Sequence, residues 1–207
     1  MKKLLVLLFS LFFLSSPSVF ADDISDFQIE GISIGDSLLD YMTEDEILDG
    51  IEKTKGSYSH LNEPNKYAEV YLFKDFPTYE RMSFFVKNNS TNQYVTNKNE
   101  KYTIVFIRGL IDYNEDFDSC IVKRDEVAEF LSQIFHNEDH TEYKRPHRAD
   151  PSGNSKIDGY VINFSSGAMI EAQCNNFEET WRIKNNWSDN LSVSIDTVEI
   201  VSWLINK

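Results

Sequence analysis

The apolar residues of this chain follow two periods, the two-residue alternation of strands and the wider spacing of amphipathic helices. Strands are predicted at 27–34, with a bulge at Gly31, and at 67–73, 79–87, 102–111, 157–164 and 168–174, with an edge strand at 191–195. Helices are predicted at 38–41, 43–53 and 119–135 and near the C-terminus. Because the strands follow one another as hairpins, we expect an α+β fold, with a mostly antiparallel sheet and helices packed on one face.

Polar residues ahead of the helical segments indicate where those helices begin. Thr43 followed by Glu46 is a capping-box pattern, in which each side chain caps the other's backbone. Asp118 is predicted to cap the long helix, and Asp196 the C-terminal one. Residues 136–156 are rich in charge and contain two prolines, so they are predicted to form a long loop.

The first 21 residues have the pattern of a secretory signal peptide. A basic head with two lysines precedes the apolar run Leu4–Leu14, and Val19-Phe20-Ala21 offers small residues for cleavage. The apolar run is shorter than the ~20 residues that cross a bilayer as a helix. We therefore expect a mature chain of residues 22–207, a single soluble domain in the bacterial periplasm or outside the cell.

Two cysteines remain in the mature chain, Cys120 and Cys174. Cys120 shares a predicted helix face with Leu131, and Cys174 alternates with Ile170 on the apolar side of a predicted strand. Cysteine pairs of exported proteins are oxidised in the compartment that they reach, so we predict a disulfide that links the long helix to the second hairpin. Two buried free thiols are the alternative.

The charge of the chain restricts its partners. With 34 acidic and 20 basic residues, the formal net charge is −14. Such a surface repels nucleic-acid backbones and anionic lipid headgroups. A cation or a basic protein is the partner that this charge favours.

Residues 35–38 spell Gly-Asp-Ser-Leu, the block that gives the GDSL hydrolases their name. Ser37 would be the nucleophile of such an enzyme, but the late Asp-x-x-His pair of that family is missing, and the last histidine is His147. Ser37 also suits the N-cap of the short helix that follows it. A Ser37 hydrolase is therefore kept as an alternative function.

Three histidines lie close together in sequence, at 136, 140 and 147. If the long helix continues past Phe135, then His136 and His140 lie one turn apart and form a usable zinc or copper pair, joined by Asp139 or His147. A simpler role for His136 is favourable charge at the negative end of the helix dipole.

A basic island follows the histidines. Lys144, Arg145 and Arg148 stand out against an otherwise acidic chain and would hold an anion or an acidic partner. Long loops without regular structure often carry function. We therefore predict that residues 136–155 form the functional surface.

The stretch Asp26–Asp40, DFQIEGISIGDSLLD, resembles the opening of an uncharacterised family of small exported proteins from marine bacteria. The later pattern His147-x-x-Asp150-x-Ser152-Gly153-x-Ser155, with a strand pair ending in Cys174, is similar to the second half of the same family. The resemblance implies export and one compact domain, and it implies no site residues. The leading hypothesis is an exported, non-enzymatic binding or interaction protein of unknown ligand.

Overall fold

Seven strands pair side by side, all antiparallel, into one central sheet. The computed structural model describes residues 24, 27–58, 61, 66–88, 101–114 and 116–206. The strands are β3 (Tyr67–Leu72), β4 (Arg81–Lys87), β5 (Ile104–Asp112), β6 (Asp139–Pro146), β7 (Lys156–Asn163), β8 (Met169–Asn176) and β9 (Asn190–Asp196). Their spatial order is β3-β4-β5-β9-β8-β7-β6. The predicted α+β class and antiparallel sheet are confirmed.

The predicted first strand is instead a separate two-stranded hairpin of β1 (Gln28–Ile29) and β2 (Ile32–Ser33). Glu30 has φ 55° and Gly31 has φ 76°. Two successive positive φ values make a tight two-residue turn whose twist matches that of the flanking strands. The predicted continuous strand over 27–34 was wrong, because Gly31 turns the chain instead of bulging it.

The helices are α1 (Glu44–Thr54), α2 (Phe117–Ile134), α3 (Glu179–Asn185) and α4 (Val198–Ile205), with one 3₁₀ turn at Leu38–Asp40. The capping box of Thr43 and Glu46 is present at the start of α1, as predicted. The other two predicted caps were displaced. Asp116 caps α2 by accepting from the Ser119 N–H, and Thr197 caps α4.

Helices α1 and α2 pack on one face of the sheet, where they bury the main hydrophobic core. Helix α4 covers part of the opposite face, and a second apolar cluster forms beneath it around Phe85, Phe106 and Ile200. This second layer explains Phe85, an apolar residue at a position where the alternation of β4 predicts a polar one. Polar side chains, among them Ser83, Arg108 and Glu171, occupy a neighbouring part of the opposite face.

Strand β9 was predicted to be an edge strand, and that prediction was wrong. It lies in the middle of the sheet, between β5 and β8, and all seven of its residues are buried. The alternation of its apolar residues Leu191, Val193 and Ile195 was assigned correctly, since these side chains enter the main core. The polar residues between them face the other side.

The predicted loop over 136–156 contains a strand. Residues 139–146 form β6, which pairs with β7 along eight positions from Asp139↔Asn163 to Pro146↔Lys156. The irregular segment between the two strands is therefore 147–155. The loop prediction failed because β6 is an exposed edge strand whose polar side chains show no apolar alternation.

The disulfide between Cys120 and Cys174 is present, as predicted. It joins α2 to β8, with the two Cα atoms 6.0 Å apart and both residues fully buried. Residues 1–21, to which the signal peptide was assigned, lie outside the described residues. No helix in the described part of the chain is long and apolar enough to cross a membrane.

Candidate functional site

A pocket of about 200 Å³ opens on the sheet face opposite α1 and α2. We call it the sheet-face pocket. Its polar lining comes from Glu69, Arg108, Glu171, Gln173, Ser192, Ser194 and Asp196, and its apolar lining from Tyr58, Phe85, Phe106 and Leu204. It therefore combines both signs of charge, hydroxyl groups and an aromatic wall.

The alternation of side chains along the strands builds this pocket, because five neighbouring strands each contribute to one row across the sheet. Tyr71 on β3 lies opposite Ser83 on β4, which lies opposite Arg108 on β5. Arg108 lies opposite Ser194 on β9, and Ser194 lies opposite Glu171 on β8. Directly opposed residues point to the same face, so the row gathers polar groups from distant parts of the sequence.

Arg108 is the central cation of the site. Its Nη2 donates to Glu69 Oε1 at 2.8 Å, to Ser83 Oγ at 3.0 Å and to the Tyr71 hydroxyl at 3.1 Å. Its Nε is buried and has no hydrogen-bond partner among the described residues. The guanidinium is thus held from the β3–β4 side, and part of its donor capacity is unused.

Asp196 is a buried acid of the site, with only 7% of its surface exposed. Ser194 Oγ donates to its Oδ2 at 2.8 Å. Within the described part of the chain, this is the one side-chain hydrogen bond that the Asp196 carboxyl accepts. Burial raises the pKa of the Asp196 carboxyl to about 7, and the charge of nearby Glu171 acts in the same direction. The hydrogen bond from Ser194 and the positive charge of Arg108 oppose this rise.

Glu171 is the second acid, and burial also raises its pKa. The Tyr143 hydroxyl donates to Glu171 Oε1 and lies 2.9 Å from Gln173 Oε1. Tyr143 reaches this position because it crosses Gly159 on the neighbouring strand, where a β-carbon would collide with its ring. The two acids therefore differ in support, one held by a serine and the other by a tyrosine.

The apolar wall of the pocket is aromatic. Phe85 and Phe106 meet edge to face with their ring centroids 5.2 Å apart, and Trp203 from α4 packs on Phe85 at 6.1 Å. The Arg108 guanidinium lies 5.6 Å from the centroid of the Phe106 ring. This wall lowers the local dielectric, which strengthens the electrostatic interactions of the neighbouring charges.

A larger cleft, of about 340 Å³, lies between α2 and strands β6 and β7. The arginine that lines it, Arg124, already pairs with Asp125 and Asp158. Lys144 adds a second cation to Asp158 at 2.7 Å. Among the described residues, none of the buried polar atoms without a hydrogen-bond partner lines this cleft, whereas Arg108 Nε belongs to the sheet-face pocket, so we place the candidate site there.

Ser37, the candidate nucleophile, caps the 3₁₀ turn. Its Oγ accepts from the Leu39 N–H at 3.3 Å and donates to the Lys101 carbonyl at 2.8 Å. Ser37 is only 3% exposed. The structure thus places this hydroxyl in the local backbone of the turn, away from the sheet-face pocket.

The helical pairing expected of His136 and His140 is absent, because α2 ends at Ile134 and His140 lies on β6. The His140 ring contacts the Tyr160 hydroxyl and the Phe135 carbonyl. His147 packs instead on Phe177, with ring centroids 4.9 Å apart.

Asp139 begins β6, at the opposite end of that strand from His147. Across the described residues, no group of three or more His, Cys, Asp or Glu side chains is arranged to hold a metal ion. The structure therefore does not bring together the four side chains proposed as zinc or copper ligands.

The basic island is divided between a strand and a turn. Lys144 and Arg145 lie on β6, where Lys144 pairs with Asp158 and Arg145 lies 5.1 Å from the Tyr143 ring centroid. Arg148 is exposed in the turn that follows. The three cations therefore do not form one compact anion site, and an anionic partner at them stays a prediction.

Sequence reasoning missed the sheet-face pocket. Its signal was present, since Arg108 interrupts an apolar strand and Asp196 ends another with two serines before it. A charged residue inside a buried strand indicates a buried partner or a site. Comparisons of this chain with protein-family models, curated proteins and solved structures find no match, so its function has to be argued from the site.

Proposed function

We propose that this protein is an exported, non-enzymatic binding protein that takes a small polar ligand into the sheet-face pocket. The observation that carries the proposal is the unused hydrogen-bonding capacity of two charged groups in the pocket, the buried Nε of Arg108 and the carboxyl of Asp196. Arg108 Nε has no partner among the described residues, and Asp196 has one hydrogen bond there, from Ser194. Both residues line the pocket.

Unsatisfied buried polar groups oppose folding, at a cost of about 1–3 kcal/mol each. They persist where they serve a purpose, and a ligand that completes their hydrogen bonds recovers that energy on binding. The pocket is smaller than the ~300–1,000 Å³ that drug-sized ligands occupy. A small, polar molecule is therefore the occupant that this site favours.

Two observations support export. Residues 1–21 have the pattern of a signal peptide, and the buried Cys120–Cys174 disulfide suits an oxidising compartment. A binding role, rather than hydrolysis by Ser37, is supported by the position of that side chain. Its hydroxyl donates to a backbone carbonyl and caps a turn instead of facing the pocket.

The test is a binding screen with residues 22–207, purified with the disulfide intact. Amino acids, organic acids, amines and sugars are tested for a rise in melting temperature, and each hit is then measured by calorimetry. Asp196→Asn is the pocket variant, and Asp118→Asn is its control, because Asp118 is an exposed acid at the start of α2. We expect at least one hit that Asp196→Asn weakens and Asp118→Asn leaves unchanged. Failure of every class, or hits that both variants bind equally, would reject the proposal.

A further inference from the structure

The sheet-face pocket has Arg108, paired with Glu69, at one side and two further acids, Glu171 and Asp196, at the other. We infer that its ligand is an α-amino acid, with its carboxylate bound by Arg108 and its ammonium held between Glu171 and Asp196. The inference rests on the proposed function and adds the chemical class of the ligand. It requires an anion-binding end, a cation-binding end and a spacing between them that suits one small molecule.

Arg108 forms the anion-binding end. Its hydrogen bonds within the described residues all come from Nη2 and are directed at residues of β3 and β4. Nε and Nη1 make none there, and Nε is buried. Each of these nitrogens can donate one charge-assisted hydrogen bond, so a ligand carboxylate is a suitable acceptor for Arg108.

Glu171 and Asp196 form the cation-binding end. Glu171 lies directly opposite Ser194, and Asp196 follows two positions along β9, so both acids point to the same face as diagonal neighbours. Burial disfavours the charged form of each, and the charge of Glu171 adds to this effect at Asp196. An ammonium group between them would offset both effects and donate to the carboxylate oxygens.

The spacing between the two ends is set by the sheet. Arg108 and Glu171 are separated by one strand, with Ser194 of β9 between them. Two strand spacings amount to ~9.6 Å. This is a separation of backbones, and it places both charged side chains within reach of one small molecule that carries an ammonium and a carboxylate.

The remaining wall suggests what kind of amino acid fits. Phe85, Phe106 and Leu204 line the pocket beside the charged groups. They would pack against an apolar or aromatic ligand side chain. A neutral sugar would fill the same space but would bring no positive charge to Glu171 and Asp196, so the amino acid is the better match.

The experiment is calorimetric titration of the disulfide-intact chain of residues 22–207 with each proteinogenic L-amino acid, at about pH 8 where Asp196 is mostly ionised. The tightest binder is then compared with its decarboxylated amine and its deaminated acid. We expect each analogue to bind about 10- to 100-fold more weakly, since each lacks one charged end.

Variants then assign the two ends. Asp196→Asn should weaken the amino acid and the amine about tenfold or more and leave the deaminated acid unchanged. Arg108→Lys should weaken the amino acid and the acid, and leave the amine unchanged. The melting temperature of each variant is measured first, and Asp118→Asn serves as the charge-matched control.

The outcomes separate this inference from the proposed function. If no amino acid binds, or if the amine or the acid binds as tightly as the amino acid, the inference is wrong. If a sugar or another polar compound binds and Asp196→Asn weakens it, the proposed function survives while the amino-acid inference fails. If no compound of any class binds, both fail.

Discussion

Arg108 on β5 lies directly opposite Ser194 on β9, and this pairing places a guanidinium beside the buried carboxyl of Asp196, two residues farther along the same strand. The positive charge lowers the cost of ionising Asp196, although burial prevails and its pKa remains high. A cross-strand pair thus determines the electrostatics of the pocket. Substitutions at Asp196 and Arg108 should therefore change the stability of the protein in ways that can be measured.

Replacing Asp196 with Asn should change how stability depends on pH. The folded pKa of about 7 lies above the ~3.9 of an unfolded Asp, so the folded state binds the proton more tightly. Wild-type stability from this group is complete below about pH 4 and is lost as the pH rises through about 7. Asp196→Asn should therefore be more stable than wild type at pH 8, by up to about 4 kcal/mol, and the gain should vanish near pH 4.

Urea denaturation of both proteins across that pH range measures this difference. Asp118→Asn, at an exposed position, should show no comparable gain. A gain of the same size at pH 4 and pH 8 would show that the ionisation of Asp196 is not its source.

Removing Arg108 should destabilise the protein through Glu69, which is only 1% exposed. Arg108→Met leaves the Glu69 carboxylate buried without its ion pair, so we expect a loss of about 3–5 kcal/mol in the free energy of unfolding. The double variant Arg108→Met/Glu69→Gln should recover much of that loss. Denaturation of the single and double variants measures the coupling, and equal losses in the two would contradict it.

Gly159 should be required for the position of Tyr143. A β-carbon at residue 159 would lie within 3 Å of the Tyr143 ring, so Gly159→Ala should push the phenol away from Glu171. We expect a loss of about 1–3 kcal/mol in stability. In a Tyr143→Ala background, the same substitution should cost much less, because the clash is gone. A full cost in that background would place the effect in the backbone of β7.

The disulfide should contribute strongly to stability. It closes a separation of 54 residues, for which chain entropy gives about 4 kcal/mol. Cys120→Ala/Cys174→Ala should therefore lose about 2–4 kcal/mol. Wild-type protein unfolded without reductant should show no thiol that labels, and the same sample after reduction should show two. Labelling before reduction would mean that the bond is not formed in solution.

Much of the fold was predictable where local chemistry decides it. The capping box at Thr43 was found because its partners lie three residues apart, and the Cys120–Cys174 bond because each cysteine lies on an apolar face. Strand β6 was missed since an edge strand has no buried face to impose alternation. The position of β9 was also missed, because serines between its apolar residues resemble a solvent-facing side.

The pocket was harder to predict than the strands that form it. Arg108 and Asp196 are far apart in sequence, and they meet only because β9 pairs directly with β5. No local pattern specifies which strand pairs with which, since that choice depends on long-range packing of whole elements. The histidine and basic clusters were predicted as sites because their members are close in sequence, yet the structure distributes them along a strand and a turn.

The central position of β9 has a consequence for how the molecule is assembled. Strands β3–β5 form one half of the sheet and β6–β8 the other, and β9 is the strand that hydrogen-bonds both halves. It is also the last strand of the sheet to be synthesised, so the two halves cannot be joined into one sheet until it is complete. Long-range pairings of this kind slow folding. Because Arg108 comes from the first half, Glu171 from the second and Asp196 from β9, completion of folding and creation of the pocket are the same event. A chain cut short before residue 190 would lack β9, and with it both the join between the two halves and the Asp196 wall of the pocket.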